Sequence, residues 1–305
     1  MQFGARCGFR PNSDSGKAAQ VLSASEHVIP LAKANVSTSK KLRITFDTNT
    51  AAKLVTAYRA KRDGNWTKYK DLPEASILNA IQNGQVLAFA TNVSLDLEGI
   101  PKADRKAYFA AFGFVSTEES SNSSNQLVFT LNAGSTHTVG IHEIQALRYA
   151  DFVRLGGKFL IHPRIGQERL SSIVDEHQAG DALFSVQERL DRTFAISREI
   201  ESLGCGMAWI KAIGHELDPA LPWFQALAKA TVDFDDRVAS AVSEWADGDA
   251  VSAHYGYGND LFCTNDRASG AGAASIFSAA NRQRLSQKYA LDFHDITEVQ
   301  AMLAT

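Results

Sequence analysis

The fold is decided by the stretch Leu42-Arg43-Ile44-Thr45-Phe46-Asp47-Thr48-Asn49-Thr50. Its first half alternates apolar and β-favouring residues without Gly or Pro, which predicts a β-strand. Asp47 ends this strand, and the run 51–62 predicts a helix directly after it. A strand that leads into a helix indicates an α/β sheet, and such sheets bind ligands at the carboxyl ends of their strands. Asp47 is therefore a site residue or a helix cap, a role that Thr48, Asn49 or Thr50 could also fill.

The composition indicates a globular chain without a membrane segment. Its 305 residues are 45% hydrophobic and 21% charged, enough for one large domain or two small ones. No run approaches the ~18 apolar residues of a membrane span, and residues 1–40 lack the apolar core of a signal peptide. The three cysteines, Cys7, Cys205 and Cys263, are far apart and odd in number, which favours a reducing compartment. We therefore expect a cytoplasmic location and no membrane partner.

The charge is unevenly distributed along the chain. Residues 1–110 hold 16 Lys and Arg against 9 Asp and Glu, whereas the remainder holds 15 against 25. A basic half joined to an acidic half is typical of a protein that holds a polyanion near a cation-binding centre. An ordinary solvated surface produces the same asymmetry, so this observation alone does not decide the function.

Three regions are predicted from the pattern of residues. Residues 1–38 are rich in Ser, Ala, Asn and Lys and predict a loosely ordered N-terminal arm. The α/β pattern occupies 39–100 and returns at 236–305. Between them, 101–235 predicts a mainly helical insertion with long amphipathic segments near 140–155, 181–203 and 222–245. The insertion should pack beside the rest of the chain, because its ends lack the Gly-, Pro- and Ser-rich linkers of free domains.

Further carboxylates follow other predicted strands. The apolar run 86–90 predicts a strand buried on both faces, and Glu98 falls on the first turns of a helix just past it. Asp266 follows the short apolar run 261–264, and Asp249 lies at the start of the helix that precedes this run. Because parallel strands end at the same edge of a sheet, we expect these carboxylates to converge with Asp47.

Converging carboxylates indicate a metal site. Four of them at one edge would repel one another strongly unless cations lay among them. Mg²⁺ and Mn²⁺ take oxygen ligands, and the absence of paired cysteine or histidine motifs argues against zinc. The main chemistry of such clusters is phosphodiester cleavage, in which one ion activates a water and a second, ~3.5–4 Å away, stabilises the leaving oxygen.

The order of these motifs resembles the PIN-domain nucleases, many of which are metal-dependent ribonucleases. The resemblance covers roughly 40–100 and 236–305, including the final helix, strand and helix that begin near Arg282-x-Arg284-Leu285. Its motifs are Asp47-Thr48-Asn49 after a strand, Ser94-x-x-x-Glu98, Asp249-Ala250-x-x-Ala253-His254, and Thr264-x-Asp266 after a short strand. It implies an α/β, PIN-like three-layer sandwich with a central, mostly parallel sheet and a mainly helical insertion.

The resemblance also implies a function and the residues that perform it. The metal ligands and catalytic residues would be Asp47, Glu98, Asp249 and Asp266, with Asn49 or Thr264 in support. Asp96 and Glu143 are alternatives for the second acid. The expected activity is endoribonucleolytic cleavage of RNA with Mg²⁺ or Mn²⁺. Since some family members are toxins of toxin–antitoxin pairs, an antitoxin or other protein partner and a homodimer also stay open.

A basic stretch covers the end of the first predicted helix and the loop after it. Between Tyr58 and Lys70, five cations alternate with three aromatic residues, a mixture that can hold phosphates and stack bases. These cations are the predicted RNA contacts: Arg59, Lys61, Arg62, Lys68 and Lys70. A solvated loop with one tucked-in Trp explains the same residues.

Two other functions compete with the nuclease. Phe46-Asp47-Thr48-Asn49-Thr50 approximates the nucleophile motif of haloacid-dehalogenase-like phosphatases, although the general acid expected two residues after Asp47 is here Asn49. The second alternative is a non-catalytic module that keeps the fold and binds RNA through the basic stretch.

Overall fold

The predicted strand after Lys41 is the central strand of a parallel sheet. The computed structural model describes residues 41–121, 126–135, 137, 139, 143–163, 173–180, 183–268 and 272–304. The predicted N-terminal arm, 1–38, lies outside these residues. The sheet has the order β5-β2-β1-β6-β7, and every neighbouring pair is parallel. Its strands are β1 (Leu42–Phe46), β2 (Val86–Thr91), β5 (Lys158–Leu160), β6 (Leu261–Cys263) and β7 (Phe293–His294).

The sheet order places a topological switch point next to Asp47. From β1 the chain moves outward to β2 and β5, and it then returns to the other side of β1 to form β6 and β7. The order of strands therefore reverses between β1 and β6. Open α/β sheets bind ligands outside the carboxyl ends of the strands at such a point.

Helices cover both faces of the sheet, so that the chain has three layers. Ile44 and Phe46 of β1 point to one face, where they share a core with α1, α2 and α11. Thr45 points to the other face, where His254 of α9 bonds it. The helices are α1 (Thr48–Arg62), α2 (Pro73–Gln82), α3 (Val93–Asp96), α4 (Arg105–Ala110), α5 (Glu143–Arg154), α6 (Val186–Ser202), α7 (Met207–Leu217), α8 (Trp223–Ala226), α9 (Asp235–Tyr257), α10 (Ala279–Tyr289) and α11 (Ile296–Leu303).

The predicted insertion contains strands as well as helices. β3 (Phe112–Ser121) and β4 (Gln126–Ser135) form an antiparallel hairpin, and β5 joins the edge of the central sheet beside β2. The helices α4, α7 and α8 pack on α9 around a cluster of aromatic rings. The ring centre of Trp245 lies 5.2 Å from that of Phe109 and 5.8 Å from that of Trp223. Lys40–Thr305 forms one compact unit. The exact boundaries of the insertion remain a prediction.

The helix α9 is longer than the sequence pattern indicated. It begins at Asp235, where two acidic residues favour a helix N-terminus, and it ends at Gly258, which adopts the left-handed conformation with φ of 64°. Asp249 therefore lies in the interior of this helix and not at its start. The predicted helix at 222–245 is corrected at the same time, since α8 ends at Ala226 and α9 begins nine residues later.

No helix in the described ranges is both long and apolar enough to cross a membrane.

Candidate active site

Asp47 is held at the carboxyl end of β1 by two hydrogen bonds. Its Oδ1 accepts the backbone N–H of Thr48 at 2.6 Å, so it caps α1 as the capping interpretation expected. Its Oδ2 accepts the hydroxyl of Thr264, which follows β6, at 3.0 Å. Only 6% of Asp47 is exposed, and burial raises the pKa of its carboxyl group to about 6. Capping and a site role therefore coincide in one carboxylate.

Glu98 lies beside Asp47 through their shared neighbour Thr48. The hydroxyl of Thr48 donates to Glu98 Oε2, while its backbone N–H donates to Asp47. Glu98 follows α3 by two residues, in the turn after it. Burial, and next the charge of Asp47, raise the pKa of Glu98 to about 7. Both carboxylates thus lie in one poorly solvated space.

Asp266 approaches the same space from β6, across the switch point. Its backbone N–H donates to Thr264 Oγ1 at 3.0 Å, and its Oδ1 accepts the N–H of Ala268 at 2.7 Å. Its charge contributes to the raised pKa of Asp47. Arg282 donates to the backbone carbonyl of Asp266, and its charge acts in the opposite direction on Asp47.

The acid that α9 contributes to this cluster is Asp247. Burial raises its pKa well above the ordinary value, and the charges of Asp47, Glu98, Glu244 and Asp266 raise it further. Asp247 is therefore a candidate fourth member of the cluster on electrostatic grounds. The candidate site of the described residues therefore consists of Asp47, Glu98, Asp247 and Asp266.

Asp249, which the sequence predicted in this role, lies on another side of α9. Two residues correspond to about 200° around a helix, so Asp247 and Asp249 cannot point to the same spot. Asp249 Oδ1 is 3.8 Å from His162 Nε2, beyond the end of β5. Asp247 is therefore a further candidate from α9, and the role of Asp249 as a ligand stays a prediction. The missing signal was the start of α9, because a helix that begins at Asp249 leaves Asp247 outside it.

The alternatives for the second acid occupy other positions. Asp96 is 3% exposed and accepts a hydrogen bond from Asn92 Nδ2 at 3.1 Å. Glu143 is the exposed first residue of α5. Among these three acids, Glu98 is the one that is linked to Asp47, because Thr48 donates hydrogen bonds to both.

The two supporting residues differ in their contacts. Thr264 binds Asp47 directly and also accepts the N–H of Asp266. Asn49 is exposed in the first turn of α1 and has no side-chain hydrogen bond within the described part of the chain. The structure thus brings Thr264, but not Asn49, into the acidic cluster.

Glu244 is a fifth carboxylate near the cluster that the sequence did not single out. It lies one turn before Asp247 on α9 and is 3% exposed. Its Oε1 accepts the backbone N–H of Ile276 at 2.5 Å, which fixes the segment after Asp266 to α9. Burial raises the pKa of Glu244 to about 7.

Three cations of the basic stretch lie far from the acidic cluster. α1 begins at Asp47, and Arg59 follows 12 residues later, which is about 18 Å along a helix axis. Arg59 and Arg62 form ion pairs with Asp151 of α5, at 2.5 and 3.4 Å. Lys61 donates to the side chains of two residues at the end of α2, Asn79 and Gln82.

The other two predicted RNA contacts lie in the segment between α1 and α2. Lys68 and Lys70 are both exposed, and Lys68 Nζ is 5.7 Å from the ring centre of Tyr69. Of the five cations, these two form no ion pair with a carboxylate and no hydrogen bond with a side-chain amide in the described structure.

The described residues contain no group of three or more His, Cys, Asp or Glu side chains already arranged to hold a metal ion. Comparisons of the chain with protein-family models, curated proteins and solved structures find no match.

Proposed function

We propose that the protein is a metal-dependent ribonuclease that hydrolyses phosphodiester bonds at the acidic cluster. The observation that carries this proposal is that Thr48 and Thr264 link Asp47 to Glu98 and to Asp266 beside the switch point of a parallel sheet. The charges of these carboxylates also act on Asp247 of α9. Ligands bind at this position in open α/β sheets. The PIN-like character of the domain is part of the same proposal.

The chemistry of the donors favours a hard divalent cation. Every candidate ligand is a carboxylate, and oxygen ligands of this kind suit Mg²⁺ and Mn²⁺. The pKa values of Asp47, Glu98 and Asp247 are all raised because these groups are buried near one another. A cation among them would compensate their negative charge. It would therefore reduce both the cost of burying the charged carboxylates and their mutual repulsion. The described residues contain no group of three such side chains that could hold an ion as they stand, so the proposal requires the carboxylates to move when an ion binds.

The protein's own residues prepare this site. Thr48 and Thr264 donate hydrogen bonds that fix the orientation of Asp47 and Glu98. Glu244 holds the segment after Asp266 against α9. Asp47, Glu98, Asp247 and Asp266 would hold the metal ions, which when bound lower the pKa of a water and stabilise the leaving oxygen.

RNA as the substrate is supported by the family resemblance and by the positive balance of residues 1–110. The toxin-like role, an antitoxin or other protein partner, a homodimer and a cytoplasmic location remain predictions.

Cleavage of a labelled single-stranded oligoribonucleotide in Mg²⁺, Mn²⁺ or EDTA tests the proposal, with hydrolysis of para-nitrophenyl phosphate measured in parallel. The nuclease is expected to cut RNA with either ion and to stop in EDTA. Metal-dependent hydrolysis of para-nitrophenyl phosphate without RNA cleavage would instead indicate the phosphatase. RNA binding without either reaction would indicate the non-catalytic module.

A further inference from the structure

A polar groove lies beside the segment that follows β6. It lies between α1, the start of α2, the segment after β6 and the start of α11. Asn265 and Arg267 line it and flank Asp266 in the chain, so the groove and the candidate site share one segment of backbone. Its other charged lining residues are Lys53, Glu74 and Asp295.

The size of this groove separates it from a second cleft near the cluster. The groove has a cavity volume of about 400 Å³, within the range of about 300–1,000 Å³ that is typical of small-molecule sites. The second cleft, beside Thr48 and Arg148, has about 30 Å³, which is the volume of roughly one liquid water. Of these two, the groove alone can hold a nucleotide unit.

Two cations of the groove are available to an anion. Lys53 is exposed on α1 and has no hydrogen-bond or ion-pair partner among the described residues. Arg267 pairs with Asp295 at 2.7 Å, but the Arg267 side chain is 60% exposed, and exposed ion pairs contribute little stability. Asp295 is also held by the N–H groups of Thr297 and Glu298 at the start of α11. Arg267 can therefore turn to another anion while Asp295 stays satisfied.

The cations of the basic stretch are less suited to binding a phosphate near the acidic cluster. Arg59, Lys61 and Arg62 are engaged by side chains of α5 and α2, and they lie about 18 Å or more along α1 from Asp47. Lys53 is only six residues from Asp47, about 9 Å along the helix, and Arg267 is adjacent to Asp266. Along the chain, the two groove cations therefore lie nearer to the acidic cluster than Arg59, Lys61 and Arg62 do.

We propose that this groove is a subsite for the nucleotide next to the scissile phosphodiester, with its backbone phosphate bound by Lys53 and Arg267. The proposal rests on the proposed nuclease function and deepens it. Glu74 is the lining carboxylate with no cation paired to it in the described structure, and it opposes the phosphate. Removing its charge should therefore strengthen binding.

The test measures binding of a fluorescent single-stranded oligoribonucleotide in EDTA over a series of salt concentrations. Lys53→Ala/Arg267→Ala should raise Kd by about tenfold or more and reduce the magnitude of the log–log salt slope by about 0.7, since the pair holds one phosphate and each phosphate contact on a single strand contributes about 0.7. Glu74→Gln should lower Kd. The matched control is Lys158→Ala/Arg198→Ala, which removes two exposed cations elsewhere and should change Kd by less than about twofold.

Cleavage in Mg²⁺ is measured with the same variants to separate the two proposals. Wild-type cleavage together with unchanged binding by Lys53→Ala/Arg267→Ala overturns the groove and leaves the nuclease intact. A wild type that neither binds nor cuts RNA overturns both. If loss of Arg267 impairs folding, Lys53→Glu alone decides, since its side chain is exposed: weaker binding supports the groove, and unchanged binding overturns it.

Discussion

Thr264 Oγ1 donates a hydrogen bond of 3.0 Å to Asp47 Oδ2 and so joins two residues that are 217 positions apart. This bond crosses the switch point between β1 and β6, where the backbone N–H of Asp47 also donates to the carbonyl of Cys263 at 2.9 Å. The hydroxyl of Thr264 in turn accepts the N–H of Asp266. One side chain therefore sets the relative position of two carboxylates of the proposed metal site.

Thr264→Val should weaken metal binding. The hydrogen bond from Thr264 lowers the pKa of Asp47, so its loss should raise that pKa further and move the acidic limb of the cleavage pH profile to higher pH. Hydrogen bonds to charged groups contribute about 1.5–3 kcal/mol, which corresponds to a loss of roughly tenfold or more in Mn²⁺ affinity. Thr264→Ser keeps the hydroxyl and should behave like the wild type. Equal affinities for the Val and Ser variants would show that the bond does not tune the site.

Asp247→Asn and Asp249→Asn should have different effects on catalysis. Asp247 lies among the charges of the acidic cluster, whereas Asp249 lies near His162. Loss of residues that merely support a metal ligand costs about 10–100-fold, so loss of a ligand should lower kcat by about 100-fold or more. Asp249→Asn should retain kcat within a few-fold. Single-turnover RNA cleavage and Mn²⁺ titration compare the two variants, and the opposite ranking would restore Asp249 as the ligand.

The positions of Asp47 and Asp266 could be predicted because each follows a strand whose apolar residues are contiguous in sequence. Asp247 could not. α9 is buried on most sides, between the sheet and the helices of the insertion, so its sequence carries no single apolar stripe from which the facing could be read. β5 was missed for a related reason, since three residues, Lys158–Leu160, are too few for a periodic signal.

The basic stretch illustrates a different limit. Five cations near three aromatic residues form a local pattern, but Arg59 pairs with Asp151, 92 positions away. Arg62 contacts the same carboxylate at 3.4 Å, in addition to its neighbour Asp63 at 2.7 Å. Only the packing of α5 on α1 brings this carboxylate to them. The charge pattern of the sequence therefore did not reveal which cations are available to bind phosphate. Lys53 and Arg267 do not belong to a local cluster of cations in the sequence, so nothing singled them out.

The metal-free protein should lose stability as the pH rises from about 6.5 to 8. Glu98 and Glu244 have pKa values raised to about 7, above their ordinary 4.5, and Asp247 shifts in the same direction. The folded state then holds protons that the unfolded state has lost, so stability falls as the pH passes through the folded-state values. His254, whose pKa is lowered to about 3, is neutral in both states above its ordinary 6.5 and adds no slope there.

The expected loss over this window is about 1–3 kcal/mol in the free energy of unfolding, measured by urea denaturation in EDTA. Saturating Mg²⁺ should remove most of it, because the bound cation favours the charged carboxylates. Asp247→Asn provides the control and should flatten the slope in EDTA. A stability that stays constant or increases with pH in the wild type without metal would contradict the raised pKa values.

Gly256→Ala should destabilise the contact between α6 and α9. A Cβ atom at this position would lie 2.0 Å from Thr193 Oγ1 and 3.1 Å from the carbonyl of Arg189, so the two helices would have to separate. Overpacking of this kind costs about 1–3 kcal/mol. Gly180→Ala is the matched control, because nothing lies within 4 Å of the Cβ it adds. Thermal unfolding in EDTA compares the two, and equal melting temperatures would show that α6 and α9 are not in close contact.

Asp47→Asn should abolish RNA cleavage while RNA binding persists. Asp47 and its partners are assigned to the cations, so neutralising it removes metal affinity and leaves Lys53 and Arg267 in place. In EDTA the variant should bind RNA as tightly as the wild type or more tightly, because a carboxylate that repels phosphate is gone. It should also be more stable at neutral pH by up to about 3 kcal/mol, since the pKa of buried Asp47 is raised from 3.8 to about 6.

The sign of the stability change follows from the same shift. Below pH 3.8 Asp47 is protonated in both states, so the gain of the variant should vanish there and grow as the pH rises to about 6. Cleavage, binding and urea denaturation of wild type and Asp47→Asn in Mg²⁺, Mn²⁺ and EDTA measure all three effects. Wild-type cleavage that survives EDTA, or an Asp47→Asn protein that cuts at the normal rate, would overturn the mechanism, because either result separates the reaction from the carboxylate at the end of β1.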